Sequence, residues 1–546
     1  MKHKTQWSLS LISPILFFIL ITNSFAEYQP HDNKLKETLT IKPLSDGKLL
    51  THFQFSVRLN SVVEGKKFNH YNFFPRAIGQ IIQSFNVREL HLTFTQGRWN
   101  YEDWGYPLSP SAGTGLFCAS LNFIDDTITV QPRLSFRPEG FYNDTELSER
   151  AELRYGSLPH ENVCTENLTP WIKLLPCKSM SGIASLLNGH KLYDSNFHSM
   201  SIHVKPICED LKCANKSLEI VLALSTVVDP VRNSGKRDWS LSQIFGRLFT
   251  GACPLAKESK LELILPENGD YKITPESNDV VRRRNEGESN IRNIAIYNLK
   301  NALLDNELSM TWNEETFEYN IDSIQPRVFA HRYFTGYGQE RGGIKVNIFN
   351  KSPKYSVPVI YYDVIPWYLK LYLHTLKVQV NGKDSVEGGD NPIKVLYYQP
   401  AVDRSRPNVI EAKLLLLPNS LTTLSINFDK VFLKYTEHPP DANRGFDIGS
   451  AVLSTSTDTK TNELNNLNNI RNCTLNTRDS CNNNFSIRIY TETLLVSLPT
   501  PDFSMPYNVI TLTCTVIALF FGSMFNLMTR HFLALKQEDE LKDKTD

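Results

Sequence analysis

In the stretch Val357–Val380, VPVIYYDVIPWYLKLYLHTLKVQV, β-branched and aromatic residues dominate. Such residues fit a pleated, half-buried surface, so the segment reads as strand. Similar runs flank it: KLELILP (Lys260–Pro266), GIKVNIF (Gly343–Phe349), AKLLLLP (Ala412–Pro418) and LTTLSINF (Leu421–Phe428). Turn-rich separators divide them, notably NGKDSVEGGDNP (Asn381–Pro392). Short strands spaced in this way predict an antiparallel β-sandwich.

Toward the N-terminus the strands share the chain with a few helices. In His52–Leu59, Phe53, Phe55, Val57 and Leu59 alternate with polar residues, the period of a half-buried strand. Pro75 then opens a helix whose Ile78, Ile81, Ile82 and Phe85 share one face. Leu90, Leu92 and Phe94 resume strand alternation. A second helix follows Asp238, with Leu241, Ile244, Phe245 and Leu248 at the same spacing and Asp238 or Ser240 as its cap.

The two ends of the chain point to a membrane. Lys2, His3 and Lys4 precede an apolar run, Leu9–Ile21, and Ser24-Phe25-Ala26 supplies small residues at the −3 and −1 positions of a cleavage site. That is the pattern of a secretory signal peptide, and the run is short beside the ~20 residues of a membrane span. Tyr507–Met528 carries no charge and is long enough to span once. Arg530, His531 and Lys536 follow it, while Asp502 precedes it, so the C-terminal side should face the cytosol. A type I membrane protein is expected, its bulk in the lumen of the endoplasmic reticulum. The tail LKDKTD adds lysines at −3 and −5, a retrieval pattern for that compartment.

The expected organisation is a signal peptide over residues 1–26, a first luminal domain over 27–255 and a second over 256–449. The helices of the first domain are expected near 75–86 and 239–249. A flexible loop follows over 450–484, because ten of the 23 residues from Asn462 to Asn484 are Asn and cannot bury a core. A luminal strand and juxtamembrane segment (485–506), the span (507–528) and a cytosolic tail (529–546) complete the chain. With 58 basic and 58 acidic residues the chain is formally neutral, and nothing argues for nucleic acid. Six glycosylation sequons, at Asn143, Asn167, Asn215, Asn350, Asn472 and Asn484, suit a luminal chain. Pro170 and Pro353 follow two of them and weaken Asn167 and Asn350.

No zinc helix, nucleophile elbow, phosphate loop or C-x-x-C pair occurs, so neither catalysis nor a metal or cofactor is expected. The glycine-rich Gly336–Gly343 reads as a hairpin turn, and His331 and His374 as structural residues of strands. In the membrane segment, Thr511, Thr515, Ala518, Gly522 and Asn526 fall on one helical stripe. Small residues there admit a second helix, whereas Thr hydroxyls that bond back to their own helix would suit a simple anchor. The stripe predicts other membrane subunits as partners.

FPRAIGQIIQSFNVRELHLTFTQGRW (Phe74–Trp99), GLFCASLNFID (Gly115–Asp125), VCTENLTPWIKLLPC (Val163–Cys177) and LPTPDFSMPYNVITLTCTV (Leu498–Val516) closely resemble the PIG-T family, and the chain looks like a fungal member. KRDWSL, HRYFTGYG, IPWYLKLYLHTL and LKYTEHPPDANRGF carry the resemblance, in order, through nearly the whole mature chain. It implies luminal β-sandwich domains with one span, and a non-catalytic assembly subunit of the glycosylphosphatidylinositol (GPI) transamidase. That complex joins a preassembled GPI anchor to the new C-terminus of a precursor protein. A caspase-like partner supplies the Cys–His chemistry. GPI lipid and precursor are further prospective partners. A β-rich receptor or lectin binding glycan or precursor directly is the alternative, and it requires ligand binding without partners.

The resemblance also bears on the nine cysteines. It implies that Cys164 leaves the chain as an interchain disulfide to the catalytic subunit. With Cys514 in the membrane, seven luminal cysteines remain, so at least one is free. Cys177 with Cys253, Cys208 with Cys213, and Cys473 with Cys481 are the intrachain pairs expected, and Cys118 is the free thiol. Asn143, in YNDT, matches a family sequon, and Asn215, Asn472 and Asn484 are motif matches. The segment between Trp104 and Gly115 is shorter than in animal members, so no contact is carried over from it.

Overall fold

The computed structural model describes residues 34–59, 75–84, 87–108, 115–120, 152–157, 165–208, 216–266, 270–277, 279–284, 291–300, 307–313, 326–336, 338–385, 391–438, 441, 443–455, 487–500 and 504–532. The signal segment, most of the Asn-rich loop, Cys164, Cys213, Cys473, Cys481, Asn143, Asn215, Asn472 and Asn484 lie outside them.

The first body contains β1 (Lys34–Pro43), β2 (Leu49–Leu59), β3 (Val87–Gly97), β4 (Gly115–Ser120), β5 (Glu152–Ser157), β6 (Phe197–Cys208), β7 (Lys216–Val228), β8 (Trp239–Ser240), β9 (Glu258–Ile264), β10 (Tyr271–Thr274), β11 (Asp279–Arg284), β12 (Ile291–Asn298) and β13 (Ser309–Trp312). Ten form one sheet, β11-β12-β9-β1-β2-β7-β6-β3-β4-β5, and β10-β13-β8 form a small one. The alternation in β2 sets its faces. Phe53, Phe55, Val57 and Leu59 are buried, and register places Phe53 between Leu39 and Leu224.

Four short helices cover that apolar face through Ile78, Leu168, Trp171, Leu192 and Phe245: α1 (Arg76–Ser84), α3 (Thr165–Lys173), α4 (Gly189–Tyr193) and α6 (Leu241–Phe245); α2 (Tyr101–Trp104) instead packs Tyr101 and Trp104 into the core shared with the second body, and α5 (Pro230–Ser234) follows β7. Helix α1 buries Ile78 but leaves Ile81 40% exposed, a narrower face than its spacing predicts. In α6 the Ser240 hydroxyl accepts the Gln243 N–H, while Asp238 accepts the N–H of Trp312 instead. Gly246, at φ 62°, closes this helix early. Leu248, expected on its face, therefore lies beyond its end and is exposed.

The expected domain boundary at residue 255 is corrected here. Strand β9 pairs with β1, in the sole parallel pairing among the described strands, and β12 pairs with β9. The first sheet thus continues to Asn298, and the second body begins only after Asn313. Strand composition reports the state of a segment but not which sheet receives it.

The second body is the expected sandwich. Its strands are β14 (Val328–Thr335), β15 (Arg341–Asn350), β16 (Val357–Ile365), β17 (Leu369–Val380), β18 (Lys383–Asp384), β19 (Ile393–Gln399), β20 (Asn408–Leu416), β21 (Ser420–Lys430), β22 (Phe446–Ile448), β23 (Val452–Thr455), β24 (Ile487–Tyr490) and β25 (Leu494–Val496). Two five-stranded sheets, β14-β15-β21-β17-β18 and β19-β20-β16-β23-β24, enclose one apolar core. The run Val357–Val380 breaks at Pro366-Trp367-Tyr368 and delivers β16 to one sheet and β17 to the other. As an interior strand β16 buries Val359 to Tyr362 consecutively. Gly336–Gly343 joins β14 to β15 as a hairpin. Val452–Thr455, assigned from sequence to the flexible loop, is instead a strand between β16 and β24.

The two bodies share a polar clasp. Arg98 Nη2 reaches Glu492 Oε1 at 2.6 Å, His331 Nδ1 meets the same oxygen at 2.8 Å, and the Arg332 N–H donates to Glu492 Oε2 at 2.7 Å. The Tyr101 hydroxyl donates to the Tyr490 carbonyl and accepts the Tyr490 N–H, and Tyr106 does the same at Val328. His331 is thus part of this clasp. One further helix, α7 (Ser504–Thr529), follows, and Tyr507–Thr529 is long and apolar enough to cross a membrane.

Candidate assembly site

Helix α3 begins at Thr165, the residue after Cys164. Its inner face is fixed by Leu168 and Trp171, at i and i+3, which are 4% and 3% exposed. The Trp171 ring meets Phe55 edge-on, with centroids 6.2 Å apart, and its indole N–H donates to the Ser201 carbonyl at 3.2 Å. Thr165, Glu166, Thr169 and Pro170 face outward. Glu166 in the first turn and Lys173 in the last complement the helix dipole. One face of α3 is therefore held by the first sheet and the other is open, with Cys164 joined to its start.

The chain leaving α3 is tied down three times. Lys178 N–H donates to the Leu175 carbonyl in a turn, with Lys178 at φ 50°. A disulfide joins Cys177 to the fully buried Cys253, with Cα atoms 6.0 Å apart and a sequence separation of 76. In the chain-entropy account a loop of that size contributes about 4.5 kcal/mol. The Gly182 N–H then donates to the Gly251 carbonyl at 2.7 Å.

Glu37 of β1 completes this tie. Its carboxylate, 1% exposed, accepts the Ser259 hydroxyl at 2.6 Å and the backbone N–H groups of Ile183 and Cys253. Burial pushes its pKa up, and these hydrogen bonds and the Lys300 charge oppose the rise. One carboxylate thus bridges both loops that the disulfide joins. Gly182 fits against it because a Cβ there would lie 2.5 Å from Glu37 Oε2, and its φ of 74° independently favours glycine.

Of the other expected pairs, the Cys208 side chain and its partner lie outside the description, as do Cys473 and Cys481. Cys118 is placed only by backbone, in β4 opposite Leu90 and Arg154. Asn350 is 1% exposed and its amide donates to the carbonyls of Tyr355, Leu416 and Leu417, which excludes it as a glycan acceptor in the folded chain.

Sequence reasoning missed Glu37, the Arg98–Glu492 clasp and a buried polar group on the first sheet. In that group His91 Nδ1 lies 2.7 Å from His203 Nδ1, and His91 Nε2 lies 2.6 Å from Glu89 Oε1. Glu89 and His91 alternate along one strand, but only the register of β3 against β6 brings His203 opposite. Among the described residues no group of three or more His, Cys, Asp or Glu is arranged to hold a metal.

The side chains of α7 described from Tyr507 onward are exposed, the stripe Thr511, Thr515, Ala518, Gly522 and Asn526 included. Thr511 donates to the Tyr507 carbonyl at 2.7 Å and Thr515 to the Leu512 carbonyl at 2.8 Å. These hydroxyls are satisfied within the helix. A Cβ on Gly522 would meet nothing within 4 Å.

The sequence matches the family described as "Gpi16 subunit, GPI transamidase component" over residues 16–115, 111–238 and 230–546. It is 38% identical to the human "GPI-anchor transamidase component PIGT", covering 92% of this chain and 91% of that one. It is 30% identical to the Saccharomyces cerevisiae "GPI transamidase component GPI16", covering 94% and 90% respectively. The Schizosaccharomyces pombe "GPI transamidase component PIG-T homolog" is 31% identical, with 92% and 91% covered. Among solved structures, the collagen binding domain of the Erysipelothrix rhusiopathiae surface protein RspB overlaps at a TM-score of 0.18 with 10% identity, too little to argue from.

Proposed function

Because the chain belongs to the Gpi16 (PIG-T) family of GPI transamidase components, we propose that it is the non-catalytic assembly subunit that holds the caspase-like catalytic subunit through a disulfide at Cys164. The observation that carries this reading is the mounting of α3. A helix directly after Cys164 is pinned by Trp171, the Cys177–Cys253 bridge and Glu37, and presents its outer face. A partner bonded at Cys164 meets a helix already held in place, so little ordering of that helix is needed on contact. Once formed, the bond makes every further contact between the two subunits intramolecular and raises their effective concentration.

The bulk of the chain is luminal in this reading, with Arg530 and His531 on the cytosolic side of α7. An oxidising lumen suits both the internal and the interchain bridge. Glycans at Asn143, Asn215, Asn472 and Asn484 belong to the same reading. The Thr511 to Asn526 stripe packs against other membrane subunits through its small residues.

The test is purification of the tagged protein in mild detergent, followed by gels with and without reductant. A caspase-like protease should co-purify, in a reductant-sensitive band that Cys164→Ser abolishes. Recovery of the wild-type protein as a lone monomer would overturn the proposal.

A further inference from the structure

The chain has very little slack between the second body and the membrane helix. Leu498 and Pro499 are buried in the sandwich, and α7 begins at Ser504. Five Cα steps separate Pro499 from Ser504, a span of at most about 18 Å. The headgroup layer on one side of a bilayer is itself about 5 to 8 Å thick. The end of the sandwich from which β25 departs is therefore tethered within reach of the lipid surface.

That end has an unusual composition. It comprises the turn between β16 and β17, the loop between β19 and β20, the segment after β21, and β25 itself. A series of contacts links them: β25 pairs with β22 at Val496 and Phe446, the Phe446 ring lies 5.2 Å from that of Tyr368, and Val431 N–H donates to the Tyr368 carbonyl. Four large apolar or aromatic side chains are exposed there: Val402 by 45%, Phe432 by 70%, Tyr435 by 46% and Leu495 by 53%. Beside them the Arg404 guanidinium lies 5.1 Å from the centre of the Trp367 ring and pairs with Glu437. Aromatic rings with a polar edge, aliphatic side chains and an arginine suit a zone that is apolar on one side and wet on the other.

We propose that this end of the second body, with Phe432 at its centre, rests in the headgroup zone of the luminal leaflet of the membrane that α7 spans. The inference depends on α7 being a membrane span with the body on its luminal side. The short tether selects the bilayer, because any surface at this end is brought to the lipid whenever α7 is inserted.

The test places photoreactive benzoylphenylalanine at Phe432 and at Tyr435 of the full chain, in membranes that carry its partners, and reads adducts by mass spectrometry. Phe520, within α7, and Val280, exposed on β11 at the edge of the first sheet, are the reference positions. Phospholipid adducts at Phe432, Tyr435 and Phe520 but not Val280 are expected. Lipid adducts at Phe520 with none at Phe432 and Tyr435 overturn the proposal, as do protein adducts at those two positions. Loss of lipid adducts at Phe520 as well would overturn the spanning reading on which the proposal rests.

Discussion

Trp171→Ala removes the deepest anchor of α3. The indole is 3% exposed, packs edge-on against Phe55 and donates to the Ser201 carbonyl. Truncating a buried tryptophan costs about 3 to 5 kcal/mol. Leu168 and Leu175 keep their contacts and the Cys177–Cys253 bridge holds the following turn, so the loss should appear first as local detachment of the helix. At about 1.4 kcal/mol per decade, 4 kcal/mol raises the open population of α3 roughly a thousandfold. Hydrogen exchange read by mass spectrometry on peptides spanning Glu166 to Lys173 should show that increase, while β2 and β7 stay protected. The reductant-sensitive band at Cys164 should weaken in parallel. If the α3 amides exchange within about tenfold of wild type, the indole is not what mounts the helix.

Two carboxylates, the buried Glu37 and the half-buried Glu492, should act on stability with opposite signs in pH titrations of thermal unfolding. Glu37 has its pKa raised by burial, so the folded state takes up its proton more readily than the unfolded chain. Its contribution is most favourable below pH 4.5 and declines as pH rises through the folded value, a slope that Glu37→Gln should remove. For Glu492, burial alone would raise the pKa, but hydrogen bonds from His331 and the Arg332 N–H and the Arg98 charge bring it below the usual carboxylate range. Its contribution is present above pH 4.5 and fades as pH falls through the folded value, so Glu492→Gln should flatten the acid limb and cost about 2 kcal/mol near neutrality. Gly182→Ala should lower stability by about 1 to 3 kcal/mol, because the methyl group meets the Glu37 carboxylate and φ is positive. An unchanged unfolding midpoint for Gly182→Ala would refute that packing.

Much of the local structure is legible in the residues. The period of Phe53 to Leu59, the Ser240 cap of α6 and the hairpin at Gly336–Gly343 each rest on neighbours in sequence, where periodicity and turn chemistry act. Leu248 shows the limit: it repeats the helical spacing, yet Gly246 in the left-handed region ends the helix before reaching it. Ile81 shows another, since a residue on the apolar side of a helix is buried only if something lies opposite it.

The sequence alone determined the state of most segments, the β-rich class, the apolar span and, through long matching segments, the family. The tertiary structure decided which strands share a sheet, moving β9, β11 and β12 into the first body. It also decided which distant polar groups meet: Glu37 with the loops at Ile183 and Cys253, Arg98 with Glu492, His91 with His203. The physical reason is range. Backbone preference and side-chain alternation are short-range terms written into consecutive residues. Strand pairing and the placement of a buried charge depend on which surfaces exclude water together, and that is settled only when the whole chain has packed.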